Sequence, residues 1–285
     1  MILRSITART AQGANLYAGL ALLVSVVLLH DHAHAQTRLE ADYVISFARI
    51  SVGNVSVTTD IDSAAYSISA SGRVGGAARM LAEGEANLNT RGTITSSRPM
   101  PTTFVFKIDS TDDPVDVKMM IMDGNVTELT ALPPSGGRVP INDAHRQGIL
   151  DPLTAFLVPA GDTGDGLTKE ACQRTLPVFD GLQRYDLILA FRRFDKVTAG
   201  KGYSGPVVIC SVSYRPIAGH RVLPPLAKYL SESREIEIAF APVPGTRLLA
   251  PFRLLVANLL ANVVVQANRF DTTIRAVPNS NPGTP

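Results

Sequence analysis

The sequence predicts a mainly antiparallel β protein with one or two short helices. Three observations predict it: apolar residues recur at period two from Ala41 onwards, turn residues punctuate those runs, and helix-starting signals are few. Charged residues make up 18% of the 285 positions and hydrophobic ones 45%, a balance that excludes a disordered or collagen-like chain. Lys and Arg number 27 against 25 Asp and Glu, so the chain lacks the basic excess of a dedicated nucleic-acid binder.

The strands follow in order. Tyr43, Ile45 and Phe47 alternate with Val44, Ser46 and Ala48, and Gly53-Asn54 offers a turn or bulge before a strand at residues 55–58. Residues 67–71 form another short run, and Phe104, Phe106 and Ile108 share one face of the next. Residues 115–122, the turn Asp123-Gly124-Asn125 and residues 126–129 read as a hairpin. A second, wider hairpin joins 176–179 to 185–191 through Asp180-Gly181, placing Tyr185, Leu187, Leu189 and Phe191 on one face. Strands are expected at 207–214, 235–240 and 247–258, with Pro244-Gly245 turning the last pair, and 263–270 closes the sheet or ends it.

Asp151 is an N-cap acceptor and Pro152 a preset first residue, so a short helix is expected from Leu153 to Val158, stopped by Pro159. Residues 77–83 and 225–232 carry weaker helical signals. The Pro/Asn/Gly-rich tail, residues 278–285, is expected to be disordered, leaving residues 36–277 as a single β domain.

The N-terminus reads as a signal peptide, residues 1–35. Arg4 and Arg9 precede an apolar stretch at 16–29, too short to span a bilayer comfortably, and Ala33-His34-Ala35 fits a cleavage site before Gln36. His30, His32 and His34 fall in the discarded segment, so no metal is assigned to them. The expected location is the periplasm. Cys172 and Cys210 are the only cysteines, and an even pair in an oxidising compartment reads as a structural disulfide. It closes a loop of 38 residues, worth about 4 kcal/mol on the loop-entropy argument.

The order of these features resembles a family of exported bacterial proteins known as domain of unknown function 3108. The resemblance rests on Tyr43 with the Gly53 turn, on Asp151-Pro152-Leu153-Thr154-Ala155, and on Cys172 followed by Phe179-Asp180-Gly181 and Tyr185-Asp186-Leu187. It continues through Gly205, Cys210, Tyr214 and Pro216-Ile217-Ala218-Gly219 to the late strands. It implies an antiparallel sheet curved into a half-barrel, similar to the bacterial carriers that shuttle lipoproteins across the periplasm. It supplies no catalytic residues.

The residues themselves show no catalytic constellation. Gly202-Tyr203-Ser204-Gly205 misses the spacing of a nucleophile elbow, and His145 and His220 have no local partner pattern. Asp109, Asp112, Asp113 and Asp116 read as a solvated turn, and Asp162-Thr163-Gly164-Asp165-Gly166 lacks the terminal Glu of a calcium loop. No metal or cofactor is assigned, and an envelope hydrolase is the third choice.

Ligand binding is the first. Val117, Met119 and Ile121 oppose Met120 and Met122, while Val207 and Ile209 oppose Val208 and Val212, so both faces of these strands are apolar. A covered second face suits a lipid-like ligand, with Phe104, Phe106, Met119, Ile121, Leu187 and Leu189 as the candidate lining. The apolar run at 248–260 is either a buried strand pair or a surface touching membrane or partner. The alternative is a structural protein that binds another envelope component through its edges or loops.

Overall fold

Alternation decides which side chains of each strand turn inward, and register carries those choices from strand to strand. The structure, a computed structural model, describes residues 34–75, 84–109, 114–131, 137–162, 164–220, 235–257 and 261–277. The apolar stretch at 16–29, the helical signals at 77–83 and 225–232, and the tail at 278–285 lie outside the described residues.

The first half of the chain is a meander of seven strands: β1 (His34–Phe47), β2 (Ile50–Ile61), β3 (Ala65–Val74), β4 (Glu85–Thr95), β5 (Arg98–Asp109), β6 (Val115–Met122) and β7 (Asn125–Ala131). A connector follows, holding the one-turn helix α1 (Pro152–Ala155) and the short strand β8 (Val158–Pro159). The second half returns through β9 (Arg174–Phe179), β10 (Arg184–Thr198), β11 (Lys201–Gly202), β12 (Ser204–Ala218), β13 (Glu235–Pro242), β14 (Leu248–Ala257) and β15 (Val263–Val277). All fifteen belong to one large sheet, in the order β7-β6-β5-β4-β3-β2-β1-β15-β14-β13-β12-β10-β9. β11 adds to β15 as the one parallel strand pair among the described residues, and β8 adds to β14. The two meanders meet where β1 pairs with β15, from His34↔Val277 to Phe47↔Val263.

The sheet is open, and the connector ties its two ends. The Ile149 amide donates to the carbonyl of Gly124 in the β6–β7 turn (2.7 Å), while Leu150 exchanges bonds with Pro177 and Phe179 of β9 (2.8 and 2.9 Å). Cys172 bonds to Cys210, which pins the segment before β9 to β12.

Three expectations change in detail. The first hairpin turns at Ala48-Arg49, both at positive φ, and Gly53 sits instead at a register shift inside β2. A Cβ on Gly53 would lie 2.9 Å from the Arg73 carbonyl oxygen, so the bulge needs glycine there. The helix is one turn, not the expected 153–158, because Val158 and Pro159 join the ladder of β14 opposite Leu249 and Leu248. On β6, Met120 and Met122 are 47% and 66% exposed whereas Val117, Met119 and Ile121 are buried, so that strand near the sheet end has one solvated face. Burial of both faces does hold for Val207–Cys210 of β12 and for Ile236–Ala241 of β13. Alternate residues there feed two different cores: Val207, Ile209, Ala239 and Ala241 into one, Val208, Cys210, Ile238 and Phe240 into the other.

β4 belongs to no expected run, yet it is eleven residues long and fully paired with β3 and β5. Its inward positions include Thr90 and Gly92. A Cβ on Gly92 would run into the Met100 carbonyl oxygen and lie 2.7 Å from the Tyr66 ring. Gly92→Ala is therefore expected to destabilise the protein by about 3 kcal/mol in urea denaturation. Gly137→Ala, at a position with open space around it, is the control and should stay within about 0.5 kcal/mol of wild type.

Candidate apolar ligand cavity

The inward positions of β1 (Leu39, Ala41, Tyr43) and of β2 (Val55, Val57, Thr59) lie side by side in register and form one wall of a cavity. Ala250, Pro251 and Leu254 of β14, Val265 of β15 and Ile238 of β13 form the other. Leu153 of α1, with Phe156 and Leu157 after it, completes the enclosure. The cavity measures about 190 Å³. Among its lining side chains only Tyr43 and Thr59 carry polar atoms, and the Tyr43 hydroxyl is spent on the Pro251 carbonyl at 2.6 Å. Burial also pushes the Tyr43 phenol well up, so it stays neutral.

The pocket is only partly enclosed, so a ligand that covers its apolar lining removes that surface from water. Apolar cavities of about 150 Å³ in other proteins stay dry and take up apolar molecules. Small side chains contribute to the room: Ala41 lies between Val57 and Phe270 in the ladder, and Ala250 is paired with Ala241.

α1 is held in place by a buried polar chain. A one-turn helix has almost no stability of its own. Asp151 caps it, accepting from the amides of Leu153 (2.9 Å) and Thr154 (3.1 Å) through Oδ1. Its Oδ2 contacts the hydroxyls of Thr154 and of Thr90 on β4, the latter at 3.0 Å. Tyr66 of β3 meets the Thr154 hydroxyl at 2.6 Å, and Thr90 reaches the Thr103 carbonyl at 2.9 Å. Asp151 is completely buried, with no cation in ion-pair contact among the described residues. Burial pushes its carboxyl up, against the lowering pull of these hydrogen bonds. A protonated acid fits the geometry: Tyr66 donates to Thr154, Thr154 to Asp151, Asp151 to Thr90 and Thr90 to Thr103. Each threonine hydroxyl then donates once and accepts once.

The residues named from the sequence fall into two other groups. Phe104, Met119 and Ile121 are buried together, with Phe106 packed against them, in a cluster that includes Ile149 and Phe179. Leu189 is buried in the cluster around Cys172, Cys210 and Phe240, with Leu187 packed against it. None of the six lines the 190 Å³ cavity. The alternation of Tyr43, Ile45 and Phe47 marked that strand face in the sequence, but the space beside it shows only in the fold. His145 is used in a local cap, its Nδ1 accepting from the Asn142 amide at 3.2 Å. Ser204 meets the Thr198 hydroxyl at 2.9 Å on the β10–β12 hairpin, away from any helix start. Among the described residues no group of three His, Cys, Asp or Glu side chains is placed to hold a metal, and no helix is long and apolar enough to cross a membrane.

The Asp151 chain has a pH consequence. A free aspartate titrates near about 3.9, and the native carboxyl titrates higher. The native state therefore keeps a proton that the unfolded chain releases, so the contribution of Asp151 is fully present in acid and is lost as pH rises through the native pKa. Urea denaturation across pH should show wild type losing stability relative to Asp151→Asn from about pH 4 upwards. Parallel curves for the two proteins would contradict the protonated chain.

No sequence among curated proteins matches this chain. Among solved structures, the chain is similar to a β-barrel-like protein of domain of unknown function DUF1849 from Brucella abortus, at a TM-score of 0.42 and 9% identity, with 85% of this chain and 98% of that one covered. Residues 42–256 match the family described as "Protein of unknown function (DUF3108)". With most of its length inside that match, the chain belongs to the DUF3108 family.

Proposed function

We propose that this chain is an exported protein of the bacterial envelope that holds a lipid-like apolar ligand, with no covalent step. The observation that carries the reading is the apolar cavity between β1–β2 and β14, whose lining offers almost no polar atoms to water. A ligand burying about 300 Å² of acyl surface gains on the order of 7 kcal/mol before ordering costs, at about 25 cal/mol per Å². The Cys172–Cys210 disulfide suits an oxidising compartment such as the periplasm. The signal-peptide reading places the mature start at Gln36, two residues into β1.

A second reading, contact with another envelope component, draws on the tip of the first hairpin. Phe47 and Ile50 are cross-strand neighbours there, and they are 45% and 59% exposed.

Native and denatured masses of protein gently isolated from a bacterial envelope test the first reading. The denatured mass is expected to start at Gln36, and the native mass to exceed it by that of a lipid. Ala250→Leu fills the cavity from within. It is expected to abolish the extra mass and the uptake of a fluorescent fatty acid while leaving the melting midpoint unchanged or raised. A bare wild-type monomer that takes up no fatty acid would transfer the assignment to the partner-binding reading.

A further inference from the structure

A separate cleft of about 360 Å³ lies beside β7, between that end strand and the β9–β10 turn. It shares no lining residue with the apolar cavity. Ala131 of β7, Arg138 and Arg146 of the connector, Leu182 of the β9–β10 turn and Gly219 at the end of β12 surround it. The backbone there is drawn tight: Gly219 has φ +77°, and a Cβ on it would collide with the Leu182 carbonyl.

The polar content of this cleft is cationic and under-used. Nη1 of Arg138 donates to the Gly219 carbonyl at 2.8 Å, which fixes the guanidinium plane. Its Nε is buried and has no acceptor among the described residues. The Nε of Arg146 is likewise buried without an acceptor. Among the described residues Arg146 pairs with Asp143, at 3.7 Å, and that carboxylate is 96% exposed. The nearby carboxyl of Asp180 accepts from the amides of Leu182 and Gln183 (2.8 and 2.6 Å) and attracts Arg138 without forming an ion pair with it among the described residues. Two guanidiniums line a cleft with apolar side walls, and the Arg146 side chain is 39% exposed.

The geometry points to an oxyanion site. A carboxylate or phosphate group seats between Arg138 and Arg146, and the rest of its ligand lies against Ile141 and Leu182. The inference stands apart from the apolar cavity, and its test does not depend on it.

Thermal unfolding is followed with inorganic phosphate, with glycerol 3-phosphate, and with chloride at matched ionic strength. Phosphate is expected to raise the melting midpoint beyond the chloride control. Arg146→Gln should weaken that effect about tenfold or more, as loss of a charge-assisted donor pair does. Ala131→Phe, which fills the cleft and leaves both arginines in place, should do the same, whereas Arg275→Gln on β15 should not. Phosphatidylcholine vesicles with and without phosphatidic acid separate the sources. Retention on the phosphatidic acid vesicles that Arg146→Gln abolishes assigns a lipid headgroup; phosphate binding without retention assigns a soluble anion. A midpoint no higher in phosphate than in chloride, or one raised equally in Arg146→Gln, overturns the site.

Discussion

A carboxyl group with no counter-ion, buried at the start of a one-turn helix, organises the interior of this protein. Burying a carboxyl is costly unless its hydrogen bonds are met, and Asp151 meets them with partners from three directions: its own helix, Thr90 on β4 and, through Thr154, Tyr66 on β3. That chain fixes where α1 enters the concave side of the sheet. The position of α1 in turn sets Leu153, Phe156 and Leu157 over the apolar cavity and delivers β8 to β14. A shift of α1 by one residue would break the cap, the Thr90 contact and the enclosure together.

The sheet itself divides its work. Near β6 and β7 one face is solvated, while β12 and β13 are buried on both faces and separate two cores. Cys210 sits on β12 of that buried pair, so the disulfide ties the connector to a part of the sheet buried on both faces. Space is left not there but in the apolar cavity, where Ala41 of β1 and Ala250 of β14 are among the lining residues. The second cleft is of another kind, with charge rather than apolar volume as its distinguishing content.

Much of the architecture was legible as period-two alternation, and most of the expected runs became strands of one antiparallel sheet. The exceptions have physical causes. β4 escaped because its inward positions answer local needs that hydrophobicity does not report: Thr90 for the Asp151 chain and Gly92 for the approach of Tyr66. Two turns were equally silent. Ala48-Arg49 and Ser96-Ser97 take positive φ without glycine, whereas Asp123-Gly124 advertised itself. Met120 and Met122 misled because an apolar residue on a strand near a sheet end carries no mark of whether anything covers it. For the cavity, alternation identified the wall at Tyr43 but not the absence of volume opposite it. For the cleft, Arg138 and Arg146 stood in no pattern and meet only through the tertiary fold.

The pairing of β1 with β15 joins residues more than two hundred positions apart, since Thr37 lies opposite Ile274. A ribosome makes β1 first and its central partner last. Throughout that interval β1 can zip with β2 on one side while its other side presents a row of unpaired amides and carbonyls. Such an edge is a template for pairing with the wrong chain. The native sheet hides this strand at its centre, yet biosynthesis leaves it the longest without its neighbour. Folding of this protein is therefore expected to be slow and post-synthetic, limited by closure of its middle rather than by growth of its ends.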